Sequence, residues 1–465
     1  MHAEKEVNML IYNNLLINGN SHRYQPFLLN LLSGRRRLLN NDEAAIIKRM
    51  VISQGKDNAE EKMLVDKLFN EKQFVTDEVR QSIETLLINS GYFERSNPYA
   101  EDYRFSIEIT RACNMNCPFC YAASRHEGIK SMTKSHIDAI FLFYSTLADS
   151  QEKIRSTPFI RITGGEPLVD RESASLISYI AEKWSNTKIS LFTNGVNLLK
   201  YYSYIPLERI EDIHVSLDGT RDVHLSRRFA NRNPDDMIYE DIIAGIRKLL
   251  NDNVNVKVKT VLDRNNYTDI SALQKLLTSE GILGSPCCEH LLGITLDYHN
   301  DLDILEEVNN KQDVSKIKDH LLGLGLLPPT YPSCSTLMKM MTRSQNKPYL
   351  PKCTHCRNGI LDNYYFSCNG KVYYCDCIED DEGIVGTFFP EIILYEDAVR
   401  SILSRSVLSN AKCKTCPYKF VCLGGCHLAA RTKKQDMACG IFGDEDILDN
   451  LEFDYNAVLH GRRKV

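Results

Sequence analysis

The stretch Ser106-Ile107-Glu108-Ile109-Thr110-Arg111-Ala112-Cys113-Asn114-Met115-Asn116-Cys117-Pro118-Phe119-Cys120 decides how the rest of the chain is read. Its first half continues an alternation begun at Tyr103 (Tyr103, Phe105, Ile107, Ile109), the period of a half-buried β-strand. Its second half sets three cysteines in a C-x3-C-x2-C spacing on one tight loop, straight after that strand. Three thiolates so close together can hold three irons of a cubane and leave the fourth iron without a protein ligand, and thiolates are the soft ligands that iron–sulfur clusters take. The alternatives are a zinc site or buried free thiols. Zinc usually takes four ligands and pairs them as C-x2-C with a second pair or with histidines, which this asymmetric spacing without a neighbouring histidine fits poorly.

Downstream, strand patterns alternate with helical ones. Phe159–Thr163 runs into Gly164-Gly165-Glu166-Pro167, Ile189–Thr193 into Asn194-Gly195, and residues 213–217 into Asp218-Gly219. Residues 254–261 make a fifth strand, and a sixth lies somewhere within 281–296. The helical pattern at 136–147 puts Ile137, Ile140, Phe141, Tyr144 and Leu147 on one face. Repeated βα units predict an α/β core with a parallel sheet, here a partial (β/α)6 TIM-like barrel. Every candidate site residue falls at the C-terminal end of a strand, where such sheets bind ligands.

With Thr163-Gly164-Gly165-Glu166-Pro167 at the end of the strand after the cysteine loop, the sequence resembles the radical S-adenosylmethionine (radical SAM) enzymes. The resemblance implies a 4Fe-4S cluster on Cys113, Cys117 and Cys120, with S-adenosylmethionine at the open iron. Gly164 and Gly165 would let backbone approach a ligand, and Glu166 would accept from the ammonium of the methionine moiety. Asn194, and Ser216 with Asp218, stand where the family contacts carboxylate and ribose, and Phe119 would stack near adenine. The first three could equally cap helices, and Phe119 could serve packing. The implied chemistry is one-electron cleavage of the sulfonium to methionine and a 5′-deoxyadenosyl radical, which takes a hydrogen atom from the substrate.

A second array lies further on. Cys356 is followed by thirteen residues, Gly370, four residues and Cys375, then by Cys413, Cys416, Cys422 and Cys426 spaced C-x2-C-x5-C-x3-C, and finally by Cys439. This is similar to the seven-cysteine SPASM extension of radical SAM enzymes acting on peptides and proteins. The resemblance implies two auxiliary 4Fe-4S clusters, three clusters in all. Cys356, Cys375 and Cys426 would hold the first, and Cys413, Cys416, Cys422 and Cys439 the second. Cys353 is the nearest fourth ligand for the first cluster, with Cys334 as competitor; a zinc reading of Cys413–Cys426 stays open. The remaining cysteines, Cys287, Cys288, Cys368 and Cys377 among them, read as buried small apolar residues. Asp376, directly after Cys375, sits where sulfatase-maturing relatives place a proton acceptor, although acidic neighbours from Glu379 to Glu382 allow a plain surface role.

Composition limits what else the chain can be. At 465 residues it has room for two or three domains, and 43% hydrophobic with 25% charged residues is an ordinary globular balance. The net charge of −5 is spread out, and Arg35-Arg36-Arg37 and Arg462-Arg463-Lys464 are too short for a nucleic-acid surface, so they read as solvated face. No apolar run approaches the ~18 residues of a membrane span and no signal-peptide core is evident, so a cytoplasmic location is expected, with neither nucleic acid nor membrane as partner. Sixteen cysteines in such a chain, mostly in short arrays, favour metal ligation over disulfides.

Residues 1–100 hold no cysteine. Strand patterns at 10–17 and 24–29 flank the turn Asn18-Gly19-Asn20-Ser21, and helical patterns follow at 41–51, 59–69 and 76–90. This looks like the small winged-helix module that recognises the leader of ribosomally made peptides; a helical cap with only a packing role is the alternative. The expected organisation is 1–100 leader recognition, 101–300 radical SAM core, 301–350 a helical connector broken by Pro328-Pro329 and Pro332, and 351–465 the SPASM iron–sulfur domain. The expected function is peptide maturation in antibiotic-type biosynthesis. A hydrogen atom would be abstracted from a side chain of a precursor peptide and a C–C, aryl ether or thioether cross-link formed, with a flavodoxin- or ferredoxin-type electron donor. A formylglycine-forming sulfatase maturase is the first rival, favoured by Asp376; a non-enzymatic iron–sulfur redox protein is the second, against which the Gly-Gly-Glu-Pro run argues.

Overall fold

The computed structural model describes residues 9–12, 15–18, 27–30, 36–38, 40, 42, 104–120, 131–150, 158–230, 235–294, 311–326, 363–378, 381–405, 407, 409–414, 416, 424–425, 430 and 437. The chain divides into two compact units, one of residues 1–97, 330–359 and 403–465, the other of 98–329 and 360–402.

The first unit holds a four-stranded antiparallel sheet in the order β1 (Met9–Tyr12), β2 (Leu15–Asn18), β3 (Phe27–Asn30), β4 (Arg36–Leu38). What reads as one strand at 10–17 is a hairpin, with Tyr12 opposite Leu15 and the turn-favouring pair Asn13-Asn14 between them in sequence. The next strand starts later than the pattern suggests, at Phe27, and Arg36 and Arg37 belong to β4. Apart from Asp42, the helical patterns at 41–51, 59–69 and 76–90 lie outside the described residues.

In the second unit β5 (Arg104–Glu108), α1 (Lys134–Ser150), β6 (Phe159–Thr163), α2 (Arg171–Lys183), β7 (Ile189–Thr193), β8 (Ile210–Ser216), α3 (Arg221–Arg228), α4 (Ile238–Asn251), β9 (Val256–Leu262), α5 (Ile270–Ser279), β10 (Cys288–Ile294) and α6 (Lys311–Gly323) follow in order. The six strands are all parallel to their neighbours, in the order β10-β9-β8-β7-β6-β5. All six expected strands are present, the sixth at Cys288–Ile294. The sheet then continues beyond the expected core. β11 (Asn363–Phe366) adds parallel to β5, and β12 (Lys371–Tyr373), β13 (Ile384–Thr387) and β14 (Ile393–Leu394) follow antiparallel. Beyond them lie α7 (Glu396–Ser404) and, in the first unit, α8 (Ala411–Lys414).

Strand pairing separates the residues of this sheet by face, because paired residues point the same way. Phe105, Ile107, Ile160, Ile162, Leu191, Ile213, Val215, Val256 and Val258, all essentially solvent-free, form the apolar side. The other side is polar: Ser106 pairs with Arg161, His214 with Lys257, and Ser216 with Lys259. Parallel strands are usually apolar on both faces, so a face that carries this many polar residues among a few apolar ones, such as Phe192 opposite His214, marks a working surface. On α1 the buried arc is Ile137, Ile140 and Phe143, centred on Ile140. Phe141, expected within it, falls one step past its margin and is 37% exposed, edge-on to Trp184 at 5.2 Å. Among the described residues no helix is long and apolar enough to cross a membrane.

Candidate active site

The cysteine loop hangs between the end of β5 and the end of α3. The Ile109 amide still donates to Thr163 O at 3.0 Å, and the Cys120 amide closes a turn onto Cys117 O at 3.2 Å. The Asn116 amide donates to Arg228 O at 2.9 Å and its side chain to Ala230 O at 3.1 Å. The Cys117 thiol also faces Arg228, 3.8 Å from the carbonyl oxygen and 3.9 Å from Nη1. Burial pushes the Cys113 thiol up to about 12. Burial also raises Cys117, against the pull of the Arg228 guanidinium. Bare, these groups hold their protons at neutral pH; a metal that displaces the proton converts them into ligands.

The glycine pair fixes that loop against β6. Gly165 donates to Thr110 O at 2.7 Å and Glu166 to Ala112 O at 2.8 Å. A Cβ on Gly164, whose φ is +149°, would stand 2.4 Å from Thr110 O, and one on Gly165 2.3 Å from Ala112 O. The close backbone approach that the glycines permit is therefore to residues 110–112, just before Cys113.

Glu166 is 1% exposed. Its Oε1 accepts from the Leu168 amide at 2.9 Å and the Thr193 hydroxyl at 2.6 Å, and its Oε2 from the Asn194 amide at 2.6 Å. Burial nonetheless pushes its carboxyl up to about 7. Asn194 reaches across to the loop: Nδ2 donates to Asn114 Oδ1 at 2.7 Å and lies 3.9 Å from Cys113 Sγ. Ser216 ends β8, half-buried, beside Lys259. Asp218 accepts from Arg228 Nε at 2.7 Å, Arg228 Nη2 at 3.0 Å and the Val261 amide at 2.9 Å. Burial alone would raise its carboxyl, but the Arg228 charge and these hydrogen bonds hold it below the usual carboxylate range. Phe119 lies under two guanidiniums, Arg227 at 4.5 Å and Arg228 at 5.4 Å from the ring centre.

Arg227 and Arg228 were not legible as site residues. The one signal was a pair of arginines closing a short helix soon after a strand-end aspartate. A second unforeseen network joins β5 to the β11–β12 turn. Glu108, 1% exposed, takes Arg111 Nε at 3.3 Å and Ser367 Oγ at 2.5 Å, and the Cys368 thiol lies 3.4 Å away. Cys368 is buried as expected, but hydrogen-bonded rather than simply apolar, and Cys287, Cys288 and Cys377 are half-buried.

Beyond β12, donor atoms of Cys375, Asp376 and Cys377 all lie within 4.8 Å of one another. Hydrogen bonding with Cys377, with burial, raises the Cys375 thiol well above its ordinary value. Asp376 Oδ2 is 3.9 Å from Arg161 Nη1 on the polar face; Arg161 in turn lies over the Phe192 ring, which stacks on His214. In the other unit Cys413 is buried with Val407 and Met437, and Cys416 donates its amide to Cys413 O at 3.1 Å. Cys334, Cys353, Cys356, Cys422, Cys426 and Cys439 lie outside the described residues.

Residues 107–277, which carry the cysteine loop, the glycine turn, Asn194 and the Asp218–Arg228 pair, match the sequence model of the Radical SAM superfamily. The chain carries a radical SAM domain. By sequence it is similar to the GTP 3',8-cyclase of Campylobacter lari (strain RM2100 / D67 / ATCC BAA-1060), 27% identical over 178 residues, which is 37% of this chain and 52% of that protein. The chain spans about half the length of the first curated relatives it matches. Among solved structures it is similar to native anSMEcpe with bound AdoMet (TM-score 0.54, 14% identity, 78% of this chain and 100% of that one), also solved with bound Cp18Cys peptide. It is similar too to Streptococcus suis SuiB bound to S-adenosylmethionine (TM-score 0.51, 15% identity, 92% and 97%), also solved bound to precursor peptide SuiA. At these identities the likeness is one of fold. A radical SAM domain takes S-adenosylmethionine and a 4Fe-4S cluster, and the residues fit both. Three soft thiols share one loop, and Glu166 and Asn194 stand against that loop at the strand ends.

Proposed function

We propose that the chain is a peptide maturase. It takes a hydrogen atom from a side chain of a ribosomally made precursor peptide and joins that side chain to a neighbour through a C–C, aryl ether or thioether bond. The observation that carries this reading is the three-cysteine loop held against Glu166 and Asn194 at the strand ends, in a fold similar to that of SuiB. Asp376 bears on the chemistry, not on the choice between peptide and sulfatase. It follows Cys375 directly and meets Arg161 on the polar face of the sheet whose strand ends bear the cysteine loop and Glu166. The fold likeness to SuiB and anSMEcpe, each solved with a bound peptide, supports a peptide as substrate.

Cys113, Cys117 and Cys120 would hold the radical SAM cluster, with Glu166, Asn194, Ser216, Asp218 and Phe119 around S-adenosylmethionine. When bound, these groups supply one-electron reductive chemistry that can remove a hydrogen atom from carbon. Cys353, Cys356, Cys375 and Cys426 would hold one auxiliary 4Fe-4S cluster, and Cys413, Cys416, Cys422 and Cys439 the other. Asp376 would accept the substrate proton as the new bond forms, with Arg161 holding its carboxylate in place, and the surplus electron would pass to the auxiliary clusters that the cysteine array would hold. The parallel strands would form a partial (β/α)6 barrel, residues 1–100 a winged-helix-like leader-binding module, 301–350 a connector and 351–465 the auxiliary-cluster domain. A cytoplasmic flavodoxin or ferredoxin would supply electrons.

The test is co-expression with the short open reading frame beside its gene, followed by mass analysis. Each cross-link removes one hydrogen molecule from the peptide mass; an unchanged mass with every neighbouring peptide would sink the proposal. Anaerobic incubation with dithionite and S-adenosylmethionine should release 5′-deoxyadenosine, which a redox carrier would not. GTP is the control, and its turnover would overturn the peptide reading. A second reading, formylglycine formation on a sulfatase, would use the same Asp376. Removing residues 1–100 separates the two, since only the peptide maturase should lose its full-length substrate.

A further inference from the structure

Residues 107–277 form the radical SAM segment, yet part of what holds their cysteine loop comes from beyond it. Glu108 ends β5 shortly before Cys113, and stands in register opposite Thr163, the residue before Gly164. It sits between the two stretches that the site needs held together. Its Oε2 is met by donors from the β11–β12 turn: Ser367 Oγ at 2.5 Å, the Cys368 amide at 3.2 Å and the Cys368 thiol at 3.4 Å. Arg111 completes the group, with Nε 3.3 Å from the same oxygen and Nη2 donating to Ser367 Oγ at 2.9 Å. Ser367 thus accepts from Arg111 and donates to Glu108, closing a ring of three side chains. Glu108, Ser367 and Cys368 are all buried. Hydrogen bonds to a carboxylate are strong in such a place, and losing one leaves a buried charge short of a donor.

The turn is shaped for this contact. The Gly370 amide donates to Ser367 O and the Ser367 amide to Lys371 O, each at 3.0 Å, and Gly370 has a φ of +84°. A Cβ there would collide with Phe389 O, so glycine alone suits the position. Gly370 is the glycine of the C-terminal cysteine spacing that leads to Cys375. The turn that this glycine permits is the one that reaches back to the first cysteine loop.

We propose that Glu108 and Ser367 are positioning residues of the radical SAM site. Through Arg111 they set Ala112 and Cys113 against Glu166, whose amide donates to Ala112 O at 2.8 Å, and against Asn194, whose Nδ2 donates to Asn114 Oδ1 at 2.7 Å. S-adenosylmethionine, taken by the loop on one side and the strand ends on the other, binds well only when the two sides keep their spacing. The inference rests on the radical SAM domain and not on the peptide reading.

The experiment uses the full-length protein with its clusters reconstituted anaerobically, as wild type, Ser367→Ala, Glu108→Gln and the double variant. Iron per chain is assayed, and the electron paramagnetic resonance spectrum of the reduced protein is titrated with S-adenosylmethionine. The maximal rate of 5′-deoxyadenosine release is measured in parallel. Iron content and maximal rate should stay near wild type. Each single variant should need about tenfold more S-adenosylmethionine for the spectral change, the loss of one hydrogen bond to a charged group. The double variant should be no worse than Glu108→Gln, because both changes remove the same contact. The proposal is overturned if the single variants titrate like wild type. It is overturned equally if the two losses multiply, as independent packing defects would, or if iron falls with them, which would mark a folding role. No peptide enters these measurements, so failure of the peptide-mass experiment leaves them intact.

Discussion

Arg228 and Asp218 are locked together in the interior, with Nε and Nη2 of the arginine donating to the carboxylate at 2.7 and 3.0 Å while the arginine's backbone carbonyl receives the Asn116 amide of the cysteine loop. One residue thus joins a buried ion pair to the placement of a cluster loop. Removing only one partner strands a buried charge, which costs about 3–5 kcal/mol, whereas replacing both with apolar groups of similar size costs far less. Asp218→Ala should therefore lower stability by about that amount and lower iron per chain after reconstitution; Asp218→Leu combined with Arg228→Met should recover stability. Denaturant unfolding and iron assay check this, and a stable, fully loaded Asp218→Ala protein would contradict it.

Gly165→Ala should be among the most damaging small substitutions in the chain. Its Cβ would meet a backbone oxygen, Ala112 O, at 2.3 Å, so the loop itself must shift. Overpacking of this kind costs about 1–3 kcal/mol, and the shift should also impair cluster assembly. Gly323→Ala, where no atom lies within 4 Å, is the control and should leave iron content unchanged.

Two buried groups set opposite pH dependences. His224 is fully buried, and burial together with the Arg228 charge lowers its pKa from 6.5 to about 3. As pH falls below 6.5 the unfolded chain gains a proton that the native state refuses, so this group makes stability rise with pH, by up to about 1.4 kcal/mol per pH unit. Glu166 is raised from 4.5 to about 7, so between those values the native state keeps a proton that the unfolded chain has lost, and stability falls as pH rises. Over pH 4.5–6.5 the two oppose each other. His224→Gln should tilt the stability profile downward with rising pH and Glu166→Gln upward, read from urea unfolding of the unloaded protein; tilts of the same sign would refute the assignment.

The radical SAM cluster with the two auxiliary 4Fe-4S clusters proposed above would require about twelve irons per chain. Replacing Cys113, Cys117 and Cys120 together by alanine should remove about four and abolish 5′-deoxyadenosine release, while Cys375→Ala should lower iron content yet spare uncoupled cofactor cleavage. Iron and sulfide assays with electron paramagnetic resonance distinguish these outcomes. An unchanged iron count in the triple variant would remove the basis for the radical SAM cluster assignment.

Five strands could be read from alternation, three of them also from glycine-, asparagine- or aspartate-marked ends, because side-chain period and turn chemistry are local; the sixth could be placed only within 281–296. β8 begins earlier than its pattern, at Ile210, since Glu211 and Asp212 interrupt the apolar run without interrupting the backbone ladder. β11 could not be read as part of the sheet. Its pairing with β5 joins residues some 260 positions apart, and nothing local specifies which edge Asn363–Phe366 will find. Phe141 was misplaced because helical phase is set by what packs against a helix, and a 3.6-residue period leaves its margin residues undecided.

The amino-acid order alone determined the cysteine loop, the glycine turn and the parallel strand repeat, each a matter of neighbours a few residues apart. Tertiary structure alone decided which groups hold those parts in place. Cys117 meets Arg228 across 111 positions and Glu108 meets Ser367 across 259. It also decided that Lys257 of β9 has its carboxylate partner, Asp212 of β8, at 2.6 Å. Charge pairing depends on distance in space, and a linear chain carries no record of that until its strands have taken their register.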